Sequence, residues 1–375
     1  MNAIVNCVTS SVPDPRRGNH RKHALGDMLF ASLVSVMCGY DSYTAFARFT
    51  ALNLEWLRGM GCAFANGVPS HDAFRHAFSV VDHGIFSACL RNVAGIAAAN
   101  AGGGVVAIDG KAVKRGKKRG GKTPYIVNAW SAACGIVLGE VKVDEKSNEI
   151  PAIPEVLKTL GLEGCVVTVD AAGCQKNILR QIVVDCKADA VLALKDNQKT
   201  LHDEMLLLFE KERESSPHLF PRYDAPVEKN SGRIERRSCW QTGHVGWFED
   251  IGEWQGLRSV IMVEAERSAR NVETGEWETS TERRLYISSL KVDPELALEV
   301  TRRHWGVESM HWTLDVTYGE DYCRARTKHA AASRASVRRM AASLTIPWAR
   351  KHKCTVKEAM LFANQSKEAR LEMLS

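Results

Sequence analysis

No apolar run in this sequence is long enough to cross a bilayer. The best candidate, Met28–Gly39, falls well short of the roughly 20 residues a spanning helix needs, and it reads as a buried helix instead. No signal-type apolar stretch precedes the first basic cluster in MNAIVNCVTSSVPDPRRGNHRKH, so a cytoplasmic protein is expected. There is no Cys-x-x-Cys pair. The 11 cysteines are odd in number and scattered, which argues against a zinc ribbon and against a disulfide framework. Cys89, Cys134, Cys165 and Cys174 lie among apolar residues and read as buried thiols in a reducing compartment. Charge of one sign is also scarce: 50 Lys and Arg against 44 Asp and Glu leave a net +6. That excess permits a nucleic-acid partner without demanding one. Internal repeats and low-complexity segments are absent. What is present is ordinary for a globular chain. The 375 residues, 45% hydrophobic and 25% charged, suffice for about two domains.

The positive charges are clustered rather than spread. One group is Arg16, Arg17, Arg21 and Lys22; a second runs from Lys111 through Lys114 and Arg115 to Lys122; a third runs from Arg324 to Lys353 and includes Arg334, Arg338 and Arg339. Each alone reads most simply as a solvated face. Three together, flanking one stretch of strands, suggest a track for a phosphate backbone.

Along the chain, residues 1–22 form a basic arm, a DNA-binding arm or an unstructured tail equally. Residues 23–101 read as helical, with the segment after His23 apolar on all sides and hence central. The glycine run Gly102–Gly104 marks the best boundary. Beyond it the pattern turns to strands. VVAIDGKAV is a buried strand with an acid at its end, YIVNAWSAA and IVLGEVKVD form a hairpin around Cys134–Gly135, and CVVTVDAAG is a second buried strand ending in an acid. The order β-β-β-α-β-α-β fits an α/β fold with an open mixed sheet. About 215–284 reads as a β-rich insertion, followed by the strand LYISSL, a helical stretch from about 294 to 351, and a C-terminal helical tail over 351–375.

Two acids at the ends of neighbouring strands sit where α/β sheets collect ligands. Asp109 and Asp170 end strands of the same type, V-V-A-I-D and V-V-T-V-D. Such carboxylates repel each other unless one is protonated or a hard cation lies between them. Glu308, in RRHWGVESMHWTLDV, is the best third acid. Three carboxylates around a pair of Mg²⁺ or Mn²⁺ ions suit in-line attack on a phosphodiester. Each acid alone has a plainer reading, a turn-forming Asp or a surface Glu, and spacing does not decide between the two. Lys111, Lys114 and Arg115 after the first acid, and Lys195, Asn197 and Gln198 after a further core strand, are candidate contacts to a DNA backbone. Trp305 and Trp312 share one helical face and read as packing residues; His304 and His311 share that spacing and read as phosphate contacts or caps.

These residues fall in stretches that resemble a known family. PDPR (13–16), GVPSHDAF (67–74), AIDGKAVKRG (107–116), DEKSNEIPAIPEVL (144–157), VTVDAAGCQKNI (167–178), ALKDNQKTL (193–201) and HWGVESMHWTLDVTYGED (304–321) match, in order, ISAs1-type insertion-sequence transposases. That group includes the H-repeat-associated proteins and lies within the DDE transposases of the IS4 kind. The resemblance implies an RNase H-like (retroviral integrase-like) catalytic domain over 105–350, preceded by an all-helical domain. It places the catalytic, metal-holding acids at Asp109, Asp170 and Glu308. It also implies double-stranded DNA as substrate, as element ends and as target, a homodimer on that DNA, and a bacterial nucleoid setting. Two departures stand out. The spacing between Glu308 and His311 is one residue shorter than in the H-repeat form. Where the wider kind carries Tyr, Arg and Lys, this chain has Thr301, His304 and Asp315, so Arg302, Arg303 or His304 is expected to meet the phosphate. The expected chemistry is water attack at an element end to free a 3′-OH, then attack of that 3′-OH on target DNA. A nuclease that never joins strands, and a relict copy that only binds DNA, are the alternatives.

Overall fold

The computed structural model describes residues 3–10, 12–98, 104–113, 123–143, 149–230, 232–246, 248–271 and 273–375. Six helices come first: α1 (Ala3–Ser10), α2 (Leu25–Met37), α3 (Tyr43–Leu52), α4 (Leu54–Gly59), α5 (His71–Val80) and α6 (His83–Ala97). Then follow β1 (Val105–Ala112), β2 (Tyr125–Ser131), β3 (Ile136–Val143), α7 (Glu149–Lys158), β4 (Val166–Val169), α8 (Lys176–Arg180), β5 (Asp189–Leu194) and α9 (Lys199–Leu207). The short β6 (Arg222–Asp224) and β7 (Glu228–Asn230) precede β8 (Arg233–Thr242), β9 (Ser259–Arg270) and β10 (Trp277–Ser288). The C-terminal helices are α10 (Pro294–His304), α11 (Gly306–Trp312), α12 (Ala330–Lys351), α13 (Val356–Gln365) and α14 (Lys367–Met373). No helix among the described residues is long and apolar enough to cross a membrane. None of the eleven cysteines is in a disulfide; Cys89 and Cys174 are buried, Cys134 and Cys165 half-buried.

The chain folds into two compact units that it enters alternately. The first holds Met1–Gly102, Asp109–Leu160 and Val307–Ser375; the second holds Gly103–Ile108 and Gly161–Gly306. The N-terminal helices therefore do not stand apart from everything after Gly104. They pack in one body with the β2–β3 hairpin and the C-terminal helices.

In the first unit α2 is buried at all 13 residues, as a helix apolar on every side must be. The stretch read as a basic arm begins with α1, whose Ile4, Val5 and Val8 are buried. An added Cβ at Gly26 of α2 would lie 2.2 Å from the backbone oxygen of Thr9, so glycine permits the two chain segments to touch. Arg16 is buried as well, with its guanidinium bonded to Asp14 and to the His23 carbonyl. Phe46, Phe74, Phe78 and Phe86 meet ring to ring between α3, α5 and α6. β2 and β3 pair antiparallel around a tight turn in which Gly135 has φ +72°, the left-handed conformation glycine adopts freely.

The third basic cluster divides: Arg324, Arg326, Lys328, Arg350, Lys351 and Lys353 are exposed, while its middle is not solvated. Arg334, Arg338 and Arg339 of α12 are buried. Arg334 and Arg338 both pair with Asp41. Arg339 donates to Asn128 at 2.7 Å and forks onto Glu320 at 3.1 and 3.3 Å. It also stands 3.4 Å from Glu140, which His83 meets at 3.1 Å. A buried charge persists only when paired, and these charges tie α12 to the loop at Asp41, the turn at Glu320 and strands β2 and β3.

That arrangement sets a pH dependence. Burial pushes the Glu140 carboxyl up, but His83, Arg339 and Ser336 outweigh it and hold it below its ordinary 4.5. Burial likewise raises Asp41, and Arg338 and Arg334 outweigh it, leaving it below 3.8. A depressed carboxylate contributes stability above its ordinary value and loses it as pH falls through the depressed one. Unfolding free energy followed from pH 7 into acid should hold until about pH 5 and then fall. The acid limb should be shallower in Glu140→Gln; equal limbs would remove Glu140 from this account.

In the second unit, Val105–Ile108 of β1 runs parallel to β4, and β4 parallel to β5. β10 then pairs antiparallel with β5 and with β9, and β9 with β8. The expected insertion and the strand LYISSL are not separate pieces. β10 runs unbroken from exposed Trp277 to buried Ser288, so a single strand belongs to both. The expected helical stretch 294–351 is broken at Trp305 and again after Thr317, where the chain turns before α12.

Candidate active site

Asp109 does not end its strand. β1 continues through Gly110 and Lys111 to Ala112. Gly110 is there for packing rather than for a turn: a Cβ would lie 2.1 Å from the Tyr125 ring and 2.4 Å from Glu149, which are themselves joined by a 3.2 Å hydrogen bond. Strand alternation puts Asp109 and Lys111 on one face, and the α11 region meets that face. The Asp109 carboxylate is 3.4 Å from His311 Nδ1. Two residues on, Lys111 Nζ is 2.5 Å from Asp315 and 3.6 Å from Glu320.

Glu308 is exposed on α11, three residues before His311. Residues at that spacing are neighbours on one helical face, roughly 5–6 Å apart at Cβ. Glu308, His311 and Asp315 thus form a row, and the middle one touches Asp109. Burial, Arg339 and Lys111 push the His311 imidazole down to about 3, so it is neutral. Burial lifts the Asp315 carboxyl above its usual range against the pull of Lys111.

Asp170 follows β4 directly and caps the turn Ala171–Gly173, accepting from Gly173 N–H at 3.2 Å. Asn197 and Gln198 hold that turn from outside. Their side-chain amides donate to the carbonyls of Ala171 (2.6 Å) and Cys174 (3.0 Å). His304 Nδ1 lies 2.8 Å from the buried Thr168 hydroxyl, two residues before Asp170 on β4. Burial lowers the His304 imidazole, and the Asp170 charge partly counters this. Lys195 is exposed. Arg303 is exposed and ion-paired with Glu299 one turn back on α10. Lys114 and Arg115 lie outside the described residues.

The β1–β4 register ends on the pair Ile108↔Val169; the next residue along each strand is an acid, Asp109 and Asp170. Carboxylate oxygens are the donors a hard divalent cation prefers, so the residue types fit such an ion. Among the described residues no group of three His, Cys, Asp or Glu side chains is gathered as a ready-made metal site. Residue order does not announce that Lys111, Asp315, Glu320, Arg339 and Glu140 are internal ion-pair partners. Their one signal is polar residues at positions where strand or helix periodicity demands burial.

Comparison with known proteins bears on this arrangement. The family described as transposase DDE domain matches residues 100–344, and the one described as DDE_Tnp_1-associated matches 8–94. The putative transposase YncI of Escherichia coli O157:H7 is 34% identical over 345 residues, 89% of this chain and 85% of that protein. The H repeat-associated putative transposase YhhI of Escherichia coli K12 is 32% identical, over 89% of this chain and 88% of that one. A cryo-EM structure of a piggyBac transposase synaptic complex with hairpin DNA aligns over 99% of this chain and 79% of that chain, at 10% identity and a TM-score of 0.46, too low to carry an argument. With a strand acid at 109 and a strand-end acid at 170 both inside the matched span, the chain belongs to the transposase DDE domain family.

Proposed function

We propose that this DDE-type transposase uses Asp109, Asp170 and Glu308 together to cut the ends of its element and join them to target DNA. The observation that carries the reading is the register of β1 and β4: paired residues Ile108 and Val169 are each followed by an aspartate. The row Glu308–His311–Asp315, with His311 at 3.4 Å from Asp109, supports Glu308 as the third member. An RNase H-like core belongs to this reading, supported by the β-β-β-α-β-α-β order.

Two divalent ions, Mg²⁺ or Mn²⁺, would supply charge neutralisation at the attacked phosphodiester when bound. The chain's own part is to hold the acids rigidly. Lys111 is committed to Asp315 and Glu320, so it positions the β1 face rather than gripping DNA. Asn197 and Gln198 do the same for the Asp170 turn. Exposed Lys195 and Arg303, with Lys114, Arg115 and His304, remain the proposed contacts to the strand being cut. No side-chain nucleophile is required, because catalysis of this kind is positioning plus electrostatics. Binding as a homodimer to double-stranded DNA, membership of the ISAs1 group and a place on the bacterial nucleoid complete the proposal.

The test is incubation of the chain with a labelled element end, a supercoiled plasmid and Mg²⁺. Cleaved ends that become joined to plasmid are the expected products. Cleavage without joining would reduce the protein to a nuclease, and binding without either would make it a relict.

A further inference from the structure

The second unit carries a cavity of about 240 Å³ between α10 and the sheet formed by β8, β9 and β10. The charged part of its lining is cationic but for Glu282: Arg237 from β8, Arg267 from β9, Arg284 from β10 and Arg302 from α10, with Trp305 among the neutral residues. The strand residues share one face because they fall on alternate positions in register; Arg237 and Glu282 both pair with Ala265, two residues from Arg267. Nearer the core that face is filled by packed side chains; further out the arginines take over and the space opens.

The carboxylates around these guanidinium groups do not neutralise them all. Arg237 and Arg302 share Glu228, Arg237 also meets Glu235, and Arg284 holds Glu282 at 2.8 Å. Three glutamates thus face four arginines. Arg267 is left with the weakest partners, Glu235 and Glu282, both at 3.5 Å. Its Nε is buried and makes no hydrogen bond, and a buried donor without an acceptor is costly. The Arg284 guanidinium carbon sits over the Trp305 ring, 4.1 Å from its centre, a cation–π contact that helps hold the group in place. That also covers the face on which a base would otherwise stack.

We infer that this cavity is a phosphate clamp for a DNA strand, with Arg267 as its principal donor. Guanidinium forks match phosphate oxygens, and the cavity is too small and too polar for a drug-sized apolar ligand. Its position fits the substrate. Trp305 directly follows His304, which is bonded to Thr168 on the strand leading to Asp170. Asp170 and the arginines belong to the same compact unit, so a strand bound at one would continue to the other. The inference rests on the proposal that the chain acts on DNA, and adds a phosphate site built from residues other than the three acids.

The test is anisotropy of a fluorescent duplex of arbitrary sequence with the full chain, measured at several salt concentrations. Loss of a phosphate contact lowers the slope of log affinity against log salt by about 0.9. Arg267→Gln should show that drop and bind more weakly at low salt, whereas Arg267→Lys should keep the wild-type slope. Arg283→Gln, on the opposite face of β10, should keep it too. A wild-type slope in Arg267→Gln, or an equal drop in Arg283→Gln, overturns the clamp. So does thermal stabilisation by inorganic phosphate that Arg267→Gln abolishes while the DNA slope stays unchanged, because the ligand would then be free phosphate. None of these outcomes touches the catalytic proposal, which stands or falls on cleavage by the Asp109 and Asp170 variants.

Discussion

Asparagine at position 109 or 170 should lower cleavage of an element end by at least about 10²–10³-fold, the usual effect of removing one group that stabilises charge in a transition state. The substitution is nearly isosteric. It keeps a hydrogen-bonding oxygen for Gly110 N–H and Gly173 N–H, so folding should survive. What it removes is a negative charge, and a hard divalent cation is held by charged oxygens. A second measurement separates loss of the ion from loss of catalysis. An ion that binds only the folded state raises stability, by about 2.7 kcal/mol at a hundred times its dissociation constant. Mn²⁺ should therefore raise the melting temperature of the wild-type chain, and chelation should reverse the rise. In Asp109→Asn and Asp170→Asn the rise should shrink or vanish. Wild-type cleavage in either variant would end the proposal. An intact Mn²⁺ response with cleavage lost would instead mean that the acid acts without holding the ion.

The proposed site is legible in residue order as far as its members sit at points of strong local signal. V-V-A-I-D and V-V-T-V-D are apolar runs broken by an acid, and the hairpin around Cys134–Gly135 alternates as a two-faced strand pair must. Other features were hidden for physical reasons. Asp109 looked like a strand end because glycine follows it, yet Gly110 answers the Tyr125 ring, a contact made across the fold. Lys111 looked like a phosphate contact because it is a lysine beside an acid; its actual partners lie 204 and 209 positions further along the chain at Asp315 and Glu320. Asn197 and Gln198 looked like contacts to a DNA backbone, and their amides are used on the carbonyls of a different loop. Pair partners so distant in sequence leave no periodic trace, so composition suggests where a charge is and not whom it meets. The same limit applies to the arginines of α12. In a string they are a basic run, and in the fold most of that charge is consumed internally.

Arg339→Leu tests the largest of those internal debts and should destabilise the chain by about 3–5 kcal/mol, the range for breaking a buried ion pair by removing one partner. Leucine fills most of the volume, so the loss is electrostatic rather than a cavity effect. Arg339 is fully buried and serves Asn128, Glu140 and Glu320 at once. Without it, Glu320 keeps Lys111 at 3.6 Å, and Glu140 keeps His83 and Ser336. Lysine should not rescue, since a point charge cannot fork onto Glu320 while reaching Asn128. Glu320→Gln added to Arg339→Leu should recover part of the loss, because it removes the orphaned charge; that recovery is a coupling measurable by a double-mutant cycle. The effect should also reach the site. Glu320 relieved of Arg339 would draw Lys111 from Asp315 and shift the β1 face that carries Asp109. Denaturant unfolding of the four proteins in the cycle decides the matter: a loss under about 1 kcal/mol, the scale of an exposed pair, or strict additivity with Glu320→Gln, would show that the buried network does not hold this unit together.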